Sequence, residues 1–113
     1  MIKNLPIKSV KDIKRIKQKY REKELYIDLL LFLLVINTGL KMTTLFDMKV
    51  SQIKGKKYIQ IAKGMTYMLT DEIIELVSIV TKEKEMTDFV FTRRNKTKAS
   101  RYYYYVNFKD IYN

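Results

Sequence analysis

The sequence contains no cysteine and no histidine, and these two absences exclude several classes of function. Without cysteine there is no disulfide framework and no thiolate metal site. Without histidine the chain lacks the commonest metal ligand and the commonest general base near neutral pH. Zinc chemistry and Ser-His or Cys-His catalysis are therefore excluded, and no metal or cofactor is expected. A reducing cytoplasm suits such a chain.

Proline, glycine and long apolar runs are also scarce. One proline, three glycines and 47% apolar residues among 113 favour a single folded domain, 1–113, over a disordered chain. The longest apolar run, Leu29 to Ile36, has eight residues, whereas roughly 20 are needed to span a bilayer. It indicates a core helix and not a membrane anchor. The N-terminus lacks the layout of a secretion signal, which favours a cytoplasmic location.

Acidic residues are few, and they are concentrated in one part of the chain. The net charge is +11, and the basic residues cluster in 1–23, 41–63 and 92–113. Six acids gather between Asp71 and Asp88. Three basic segments separated by one acidic helix predict a charged face that meets phosphates. A solvated, lysine-rich surface without a ligand is the alternative.

An amphipathic pattern predicts a first helix after an N-cap at Ser9. Its apolar stripe consists of Val10, Ile13, Ile16 and Tyr20. The cations of this helix are expected to face outward, where phosphate contact and simple solvation explain them equally well. They are Lys11, Lys14, Arg15, Lys17, Lys19 and Arg21.

The second predicted helix, Glu24 to Thr38, is apolar on nearly all sides, so it is expected to be buried over most of its circumference. Gly39 ends it, because glycine adopts the left-handed conformation that terminates many helices. A short third helix is predicted from Lys41 to Met48, with Leu45 turned inward. Its predicted exposed neighbours are Asp47 and Lys49. This arrangement presents Lys41 as a lone cation at a fixed point.

Beyond Val50 the hydrophobic period changes to that of a strand. Lys57 to Ala62 and Met65 to Leu69 alternate in polarity, and Lys63-Gly64 between them is typical of a turn. This pattern predicts a small antiparallel hairpin with Lys63 near its tip.

Thr70 marks the N-cap of a further helix, which is predicted to end near Lys82. Its apolar side consists of Ile73, Ile74, Leu76, Val77 and Val80. Phe89 to Phe91 predicts a buried strand or extended segment. Together these elements predict an α+β fold that is mostly α, with a helical body and one small hairpin.

The C-terminal segment is basic and aromatic. Thr92 to Ala99 predicts a polar loop that carries Arg93 and Arg94. Ser100 is placed to cap a last helix that contains four consecutive tyrosines. Packing of one face of this helix into the core is favoured over stacking of tyrosines on bases. That face consists of Tyr102, Tyr105, Phe108 and Tyr112.

The segment Asn37 to Leu45, followed by Met48 to Ile53, resembles the first motif of the tyrosine recombinases, or phage integrases. In that family Thr-Gly-Leu-Arg is followed by two variable residues, an acid and a leucine, and then by a Leu-x-x-x-Asp-Ile stretch. The lead-in Pro6 to Ser9 with Asp12-Ile13, the hairpin turn Lys63-Gly64 and Phe89 to Arg94 fall in the family's order and spacing. The resemblance covers nearly the whole chain.

The resemblance implies a catalytic domain that binds duplex DNA and cleaves one strand with a tyrosine nucleophile. In that family two arginines, a hairpin lysine and His-type residues stabilise the charge on the scissile phosphate by electrostatic preorganisation. Carried over to this chain, Lys41 takes the position of the first arginine and Lys63 that of the hairpin lysine. Thr44 takes the position of the acid that braces the arginine. The implied phosphate contacts are Lys41, Lys63, Arg93 and Arg94.

The chain departs from the family where the chemistry is most demanding. Lysine at position 41 lacks the planar fork that holds two phosphate oxygens, and Thr44 supplies no carboxylate. The family's His-x-x-Arg box and nucleophilic tyrosine would follow a helix such as the last one predicted here, so Tyr112 is not expected to be the nucleophile. We therefore expect the N-terminal two-thirds of a recombinase-like catalytic domain, truncated or decayed, from a mobile element. It binds DNA and does not cleave it alone, and any catalytic role of Lys41 and Lys63 is vestigial.

Two other functions stay open. One is an interaction module that pairs with a full-length recombinase or with a second copy of the chain, because a truncated domain exposes apolar surface. The other is an active nicking enzyme, which would form a covalent protein–DNA adduct.

Overall fold

The computed structural model describes residues 10–61 and 64–91, except for the side chain of Val10. In this part the chain forms a mostly helical α+β fold with one two-stranded antiparallel sheet, as the sequence pattern predicts. The elements in order are α1 (Val10–Glu22), α2 (Tyr26–Thr38), α3 (Met42–Phe46), a 3-10 helix (Val50–Gln52), β1 (Tyr58–Gln60), β2 (Thr66–Met68) and α4 (Asp71–Val80). The predicted cap at Ser9, the turn residue Lys63 and the segment 92–113 lie outside the described residues.

Helix α2 is the centre of the core. Every residue from Asp28 to Val35 is buried, and α1, α3 and α4 all pack against this helix. An eight-residue stretch that is apolar apart from its first residue has no face to give to water, so it is surrounded by the other helices. The ring of Tyr20 on α1 lies 5.9 Å from the ring of Phe32 on α2 and contributes to this packing.

The junction between α1 and α2 differs from the prediction that α2 begins at Glu24. Glu24 has a left-handed φ of 55° and is therefore not helical. Its main-chain N–H donates to the carbonyl oxygen of Arg21, and the N–H of Leu25 donates to that of Tyr20, both at 3.0 Å. This is the Schellman arrangement that ends a helix. This arrangement ends α1 at Glu22, so α2 begins at Tyr26 and not at Glu24.

The ionic contact between α1 and α4 corrects the prediction that the cations of α1 all face outward. Lys17 Nζ lies 2.7 Å from one carboxylate oxygen of Glu72, and Arg21 Nη2 lies 2.8 Å from the other. Partial burial by itself would raise the pKa of the Glu72 carboxyl, but the hydrogen bonds and positive charges of Arg21 and Lys17 outweigh that effect and lower it. Two of the predicted outward cations therefore bind a helix of the same chain.

The hairpin and α4 form as the local chemistry predicts, with shorter bounds. Ile59 on β1 is buried and pairs with Tyr67 on β2. The hydroxyl oxygen of Thr70 accepts a hydrogen bond from the main-chain N–H of Ile73 at 3.2 Å, which confirms the predicted N-cap. Helix α4 ends at Val80, two residues before Lys82, and Thr81 is its C-cap because its backbone angles are no longer helical.

Main-chain hydrogen bonds join 48–51 to 86–90 around one isolated antiparallel bridge, Lys49–Phe89, and the predicted burial is confirmed at Val90 and Phe91, although the chain bends there and forms no strand. The N–H of Val50 donates to the carbonyl of Asp88 at 2.9 Å, and the N–H of Val90 donates to the carbonyl of Met48 at 3.1 Å. The predicted exposure of Lys49 is wrong. It is half-buried, and its ammonium nitrogen lies 4.6 Å from the centre of the Phe89 ring.

Candidate nucleic-acid interface

The corner between α2 and α3 is built from local hydrogen bonds. Gly39 has φ 73°, and its N–H donates to the carbonyl of Val35 at 2.8 Å, which confirms the predicted left-handed helix end. The hydroxyl of Thr38 donates to the carbonyl of Leu34 at 2.7 Å and accepts from the N–H of Leu40 at 3.1 Å. Every one of these bonds lies within a few residues of the turn, so the direction in which the chain leaves α2 is defined.

Lys41 follows this corner as the N-cap residue of α3, and its side chain is exposed. Its backbone is extended, with φ −70° and ψ 146°, and its carbonyl accepts hydrogen bonds from the N–H groups of Thr44 and Leu45. Leu45 is fully buried. The burial of Leu45 in the core therefore fixes the main chain at Lys41, whose charged side chain is exposed.

Thr44 contributes main-chain geometry and no negative charge to this corner. It is half-buried, and its N–H lies 3.0 Å from the carbonyl oxygen of Lys41. Over 10–61 and 64–91 the structure has no carboxylate in an ion pair with Lys41. The Lys41 ammonium is thus available to an external anion.

Asn37, which sequence reasoning did not single out, joins this corner to the hairpin. Its side-chain amide donates to the main-chain carbonyl of Met68 on β2 at 3.0 Å. Met68 pairs with Tyr58 across the sheet, one strand spacing of about 4.8 Å away. The corner and the base of the hairpin are therefore held together. No sequence signal identifies Asn37, because its partner is a main-chain group that any residue could supply.

Two lysines of the basic segment 41–63 are engaged within the fold. Lys49 lies over the Phe89 ring, a cation–π contact. Lys54 is half-buried, and its ammonium donates to the carbonyl of Thr81, at the end of α4, at 3.2 Å. Their sequence position next to the hairpin does not make them ligands for phosphate.

Lys56 and Lys57 remain exposed immediately before β1. Lys11 and Lys14 on α1 are exposed as well. The cationic surface of the described residues includes the start of α1, the corner at Lys41 and the base of the hairpin, with further exposed lysines at Lys23 and Lys82. It is smaller than the sequence alone predicts, because Lys17, Arg21 and Lys49, which were predicted to be exposed, contact groups of the same chain.

The other predicted contact residues lie outside the described part of the chain. They are Lys63, Arg93 and Arg94. The description reaches Phe91, which is fully buried, two residues before Arg93. Lys41 is therefore the one predicted phosphate contact that lies among the described residues.

The described residues contain no cluster of three or more acidic side chains arranged to hold a metal ion. None of their helices combines the length and apolarity required for a membrane crossing. Comparison of the chain with protein-family models, with curated proteins and with solved structures found no match.

Proposed function

We propose that this protein is a DNA-binding, integrase-like protein of a mobile element, acting in the cytoplasm and built on the N-terminal part of a tyrosine-recombinase-like catalytic core. The observation that carries the proposal is the exposed Lys41 at the N-cap of α3, at the end of the corner that follows α2. Buried neighbours already fix the main chain at Lys41, so binding a phosphate there costs little further conformational entropy of the main chain.

The order of elements supports the proposal. A buried helix, a Thr-Gly-Leu-Lys corner, a short helix with Leu45 inward and an antiparallel hairpin follow one another, as the resemblance implies. Gln52 stands at the acid's position in the Leu-x-x-x-Asp-Ile stretch. Its side-chain oxygen accepts from the N–H of Lys49 at 2.7 Å, a contact that an aspartate oxygen could make equally well.

The residues of the corner favour binding over cleavage. A lysine ammonium is a point charge that neutralises phosphate, whereas an arginine holds two oxygens in a plane. Thr44 adds no carboxylate to orient the cation, and the chain has no histidine. We therefore propose Lys41, Lys63, Arg93 and Arg94 as phosphate contacts and assign no cleavage to this chain alone.

Salt-dependent binding tests the proposal directly. A labelled duplex is titrated with the protein at several salt concentrations from about 50 to 300 mM, and binding is followed by fluorescence anisotropy. Four phosphate contacts predict a slope of about −3.6 in log affinity against log salt. This slope corresponds to roughly a hundredfold loss of affinity between 50 and 200 mM salt. Absence of binding, or binding that ignores salt, would contradict the proposal.

A variant isolates the contribution of the corner. Lys41→Ala is expected to weaken binding to every sequence and to reduce the slope by about 0.9. Lys82→Ala, which removes an exposed lysine just beyond α4, is the matched control and should leave the slope unchanged. Equal effects of the two substitutions would show that Lys41 acts only through net charge.

A second function, an interaction module that pairs with a full-length recombinase or with its own copy, is favoured by exposed apolar side chains. Met65 and Met68 of the hairpin are 49% and 67% exposed, and Ile36 at the end of α2 is 40% exposed. Such side chains are candidates for a protein contact. Analytical ultracentrifugation with and without duplex separates the two functions. A tight oligomer that ignores DNA would favour the interaction module.

A further inference from the structure

We infer that the outer edge of β1 is a docking site for an extended, acidic peptide segment of another protein, which joins the sheet as a third strand. This inference does not rest on DNA binding. It is carried by an unpaired main-chain edge, by the side chains beside that edge and by the charge around it.

The hydrogen-bond register leaves the outer edge of β1 open. The N–H of Leu69 donates to the carbonyl of Lys57 at 2.9 Å, so these two residues form a hydrogen-bonded pair. In an antiparallel ladder such pairs alternate with pairs whose polar groups point outward. The pairs Tyr58–Met68 and Gln60–Thr66 are therefore of the second kind. The N–H and C=O groups of Tyr58 and Gln60 point away from β2, and the described residues supply no partner for them.

The opposite edge of the sheet is not open in the same way. On β2 the outward carbonyl of Met68 already accepts the side-chain amide of Asn37 at the end of α2. A strand that added to β2 would have to displace this contact. β1 is therefore the edge to which a strand can be added without breaking a contact among the described residues.

The side chains beside the open edge form an apolar platform. Tyr58 and Met68 lie opposite each other in a non-hydrogen-bonded pair, and both are more than half exposed, at 51% and 67%. Side chains in such pairs lie closer together than in hydrogen-bonded pairs. An added strand would place every second side chain on this same face, where an apolar residue would cover the ring of Tyr58.

The stretch of chain that forms the hairpin and precedes it carries charge of a single sign. From Met48 to Thr70 the sequence contains lysines and no acid. Lys56 and Lys57, directly before β1, are exposed. A partner strand with acidic residues is therefore attracted to this edge, and a basic strand, including a second copy of β1 with its own two lysines, is repelled.

The chemistry of the edge favours a peptide over a nucleic acid. The open groups of Tyr58 and Gln60 include both donors and acceptors, arranged at the spacing of a strand. A phosphate backbone has acceptors and no donors, so it leaves the two carbonyl groups unmatched. A peptide main chain supplies both kinds of group in the right alternation, as in other complexes in which a strand is added to a sheet edge.

The probe for the test is a fluorescein-labelled peptide of about ten residues that alternates valine and glutamate. Its binding to the full chain is measured by anisotropy, next to a valine–lysine peptide and to the same glutamate peptide methylated on every main-chain nitrogen, so that neither of its edges can donate. We expect the glutamate peptide to bind about tenfold more tightly than the lysine peptide. Methylation is expected to abolish binding, because it removes the main-chain donors that meet the edge. Equal binding of the methylated peptide would overturn the proposal.

Hydrogen exchange locates the site without any substitution. The glutamate peptide is expected to slow exchange of the amide protons of Tyr58 and Gln60. The amide of Ile59, which faces β2, is the internal control and should be unaffected. Protection elsewhere in the chain, or protection of these two amides by duplex DNA and not by the peptide, would overturn the proposal.

Two variants complete the test. Gln60→Pro removes an outward N–H without removing a bond between β1 and β2, because proline is tolerated where an edge N–H faces solvent. It should weaken the peptide about fivefold. Charge reversal at Lys56 and Lys57 together should weaken it about tenfold, whereas Lys82→Glu should not. If charge reversal at Lys56 and Lys57 has no more effect than reversal at Lys82, the assignment to β1 is wrong.

Discussion

One carboxylate oxygen of Glu72 lies 2.7 Å from the ammonium nitrogen of Lys17, on a different helix. The second oxygen binds Arg21, so one acid joins α4 to two cations of α1. Glu72→Gln should lower the free energy of unfolding by about 0.5–1 kcal/mol, a modest value because all three side chains keep contact with water.

The same contact predicts a dependence on pH. Because the folded pKa of Glu72 is lowered, its stabilisation is complete above the unfolded pKa of about 4.3 and is lost as pH falls through the lower folded value. Urea unfolding followed by circular dichroism from pH 2 to pH 7 measures both effects. Glu75→Gln, at an exposed position on the same helix, is the control. An equal pH dependence in wild type and Glu72→Gln would contradict the assignment.

Alkaline conditions should act through Tyr20. Burial, reinforced by the negative charge of Asp28, raises the pKa of the Tyr20 phenol well above its usual value. A raised folded pKa gives stability that is present below the unfolded value of about 10 and is lost as pH rises beyond it. The free energy of unfolding of Tyr20→Phe should therefore fall less steeply with pH than that of wild type between about pH 10 and pH 12.

The matched control for this change is Tyr58→Phe, because Tyr58 is half exposed while the substitution removes the same hydroxyl. It should retain the alkaline loss of stability seen in wild type. Thermal unfolding across the alkaline range distinguishes the two variants. If both of them flatten the pH dependence equally, burial of Tyr20 is not its cause.

Gly39→Ala tests the corner that precedes Lys41. An added Cβ would meet no atom within 4 Å, so its cost comes from the left-handed φ of 73° alone. This conformation costs a residue with a Cβ about 1–2 kcal/mol. Gly39→Asn should cost less, because asparagine tolerates the left-handed region better than alanine. Equilibrium denaturation measures both variants, and an alanine variant as stable as wild type would contradict the geometry.

Lys41→Arg tests the proposed phosphate contact through an expected increase in affinity for duplex DNA. If Lys41 meets a phosphate, the planar guanidinium can hold two oxygens, and affinity for duplex DNA should rise by about two- to tenfold at constant salt. Lys82→Arg is the control for a general preference for arginine. Unchanged affinity for Lys41→Arg would place the phosphate elsewhere.

The features that follow from a few neighbouring residues could be predicted from the sequence. Gly39 ends α2 because glycine alone reaches a left-handed φ without steric cost, and Thr70 caps α4 through its own hydroxyl. The burial of Leu29 to Val35 follows from a stretch with no polar face. The exposure of Lys41 at the start of α3 also belongs to this local class.

The contacts between distant residues could not be predicted in this way. Nothing near Lys17 indicates that Glu72 lies opposite it. Lys49 was expected to be exposed because it follows the outward side of the predicted third helix, and nothing near it indicates the contact with Phe89. Asn37 binds a main-chain carbonyl, so no partner side chain identifies it. Glu24 adopts a left-handed φ although glutamate is a good helix former, because closing α1 requires that conformation there. The exposed position of Lys41 could therefore be predicted from the sequence, whereas the contact that joins its corner to the hairpin could not.

The antiparallel contact between 48–51 and 86–90 bears on the order in which the molecule folds. Its hydrogen bonds close a loop that contains the whole hairpin and α4, whereas both of these elements form from neighbouring residues. Closing a long loop costs chain entropy before any contact is gained, so non-local pairings are slow. We expect these bonds to form after the helices and to break first when the chain opens. Chain synthesis must therefore reach Val90 before this part of the protein closes.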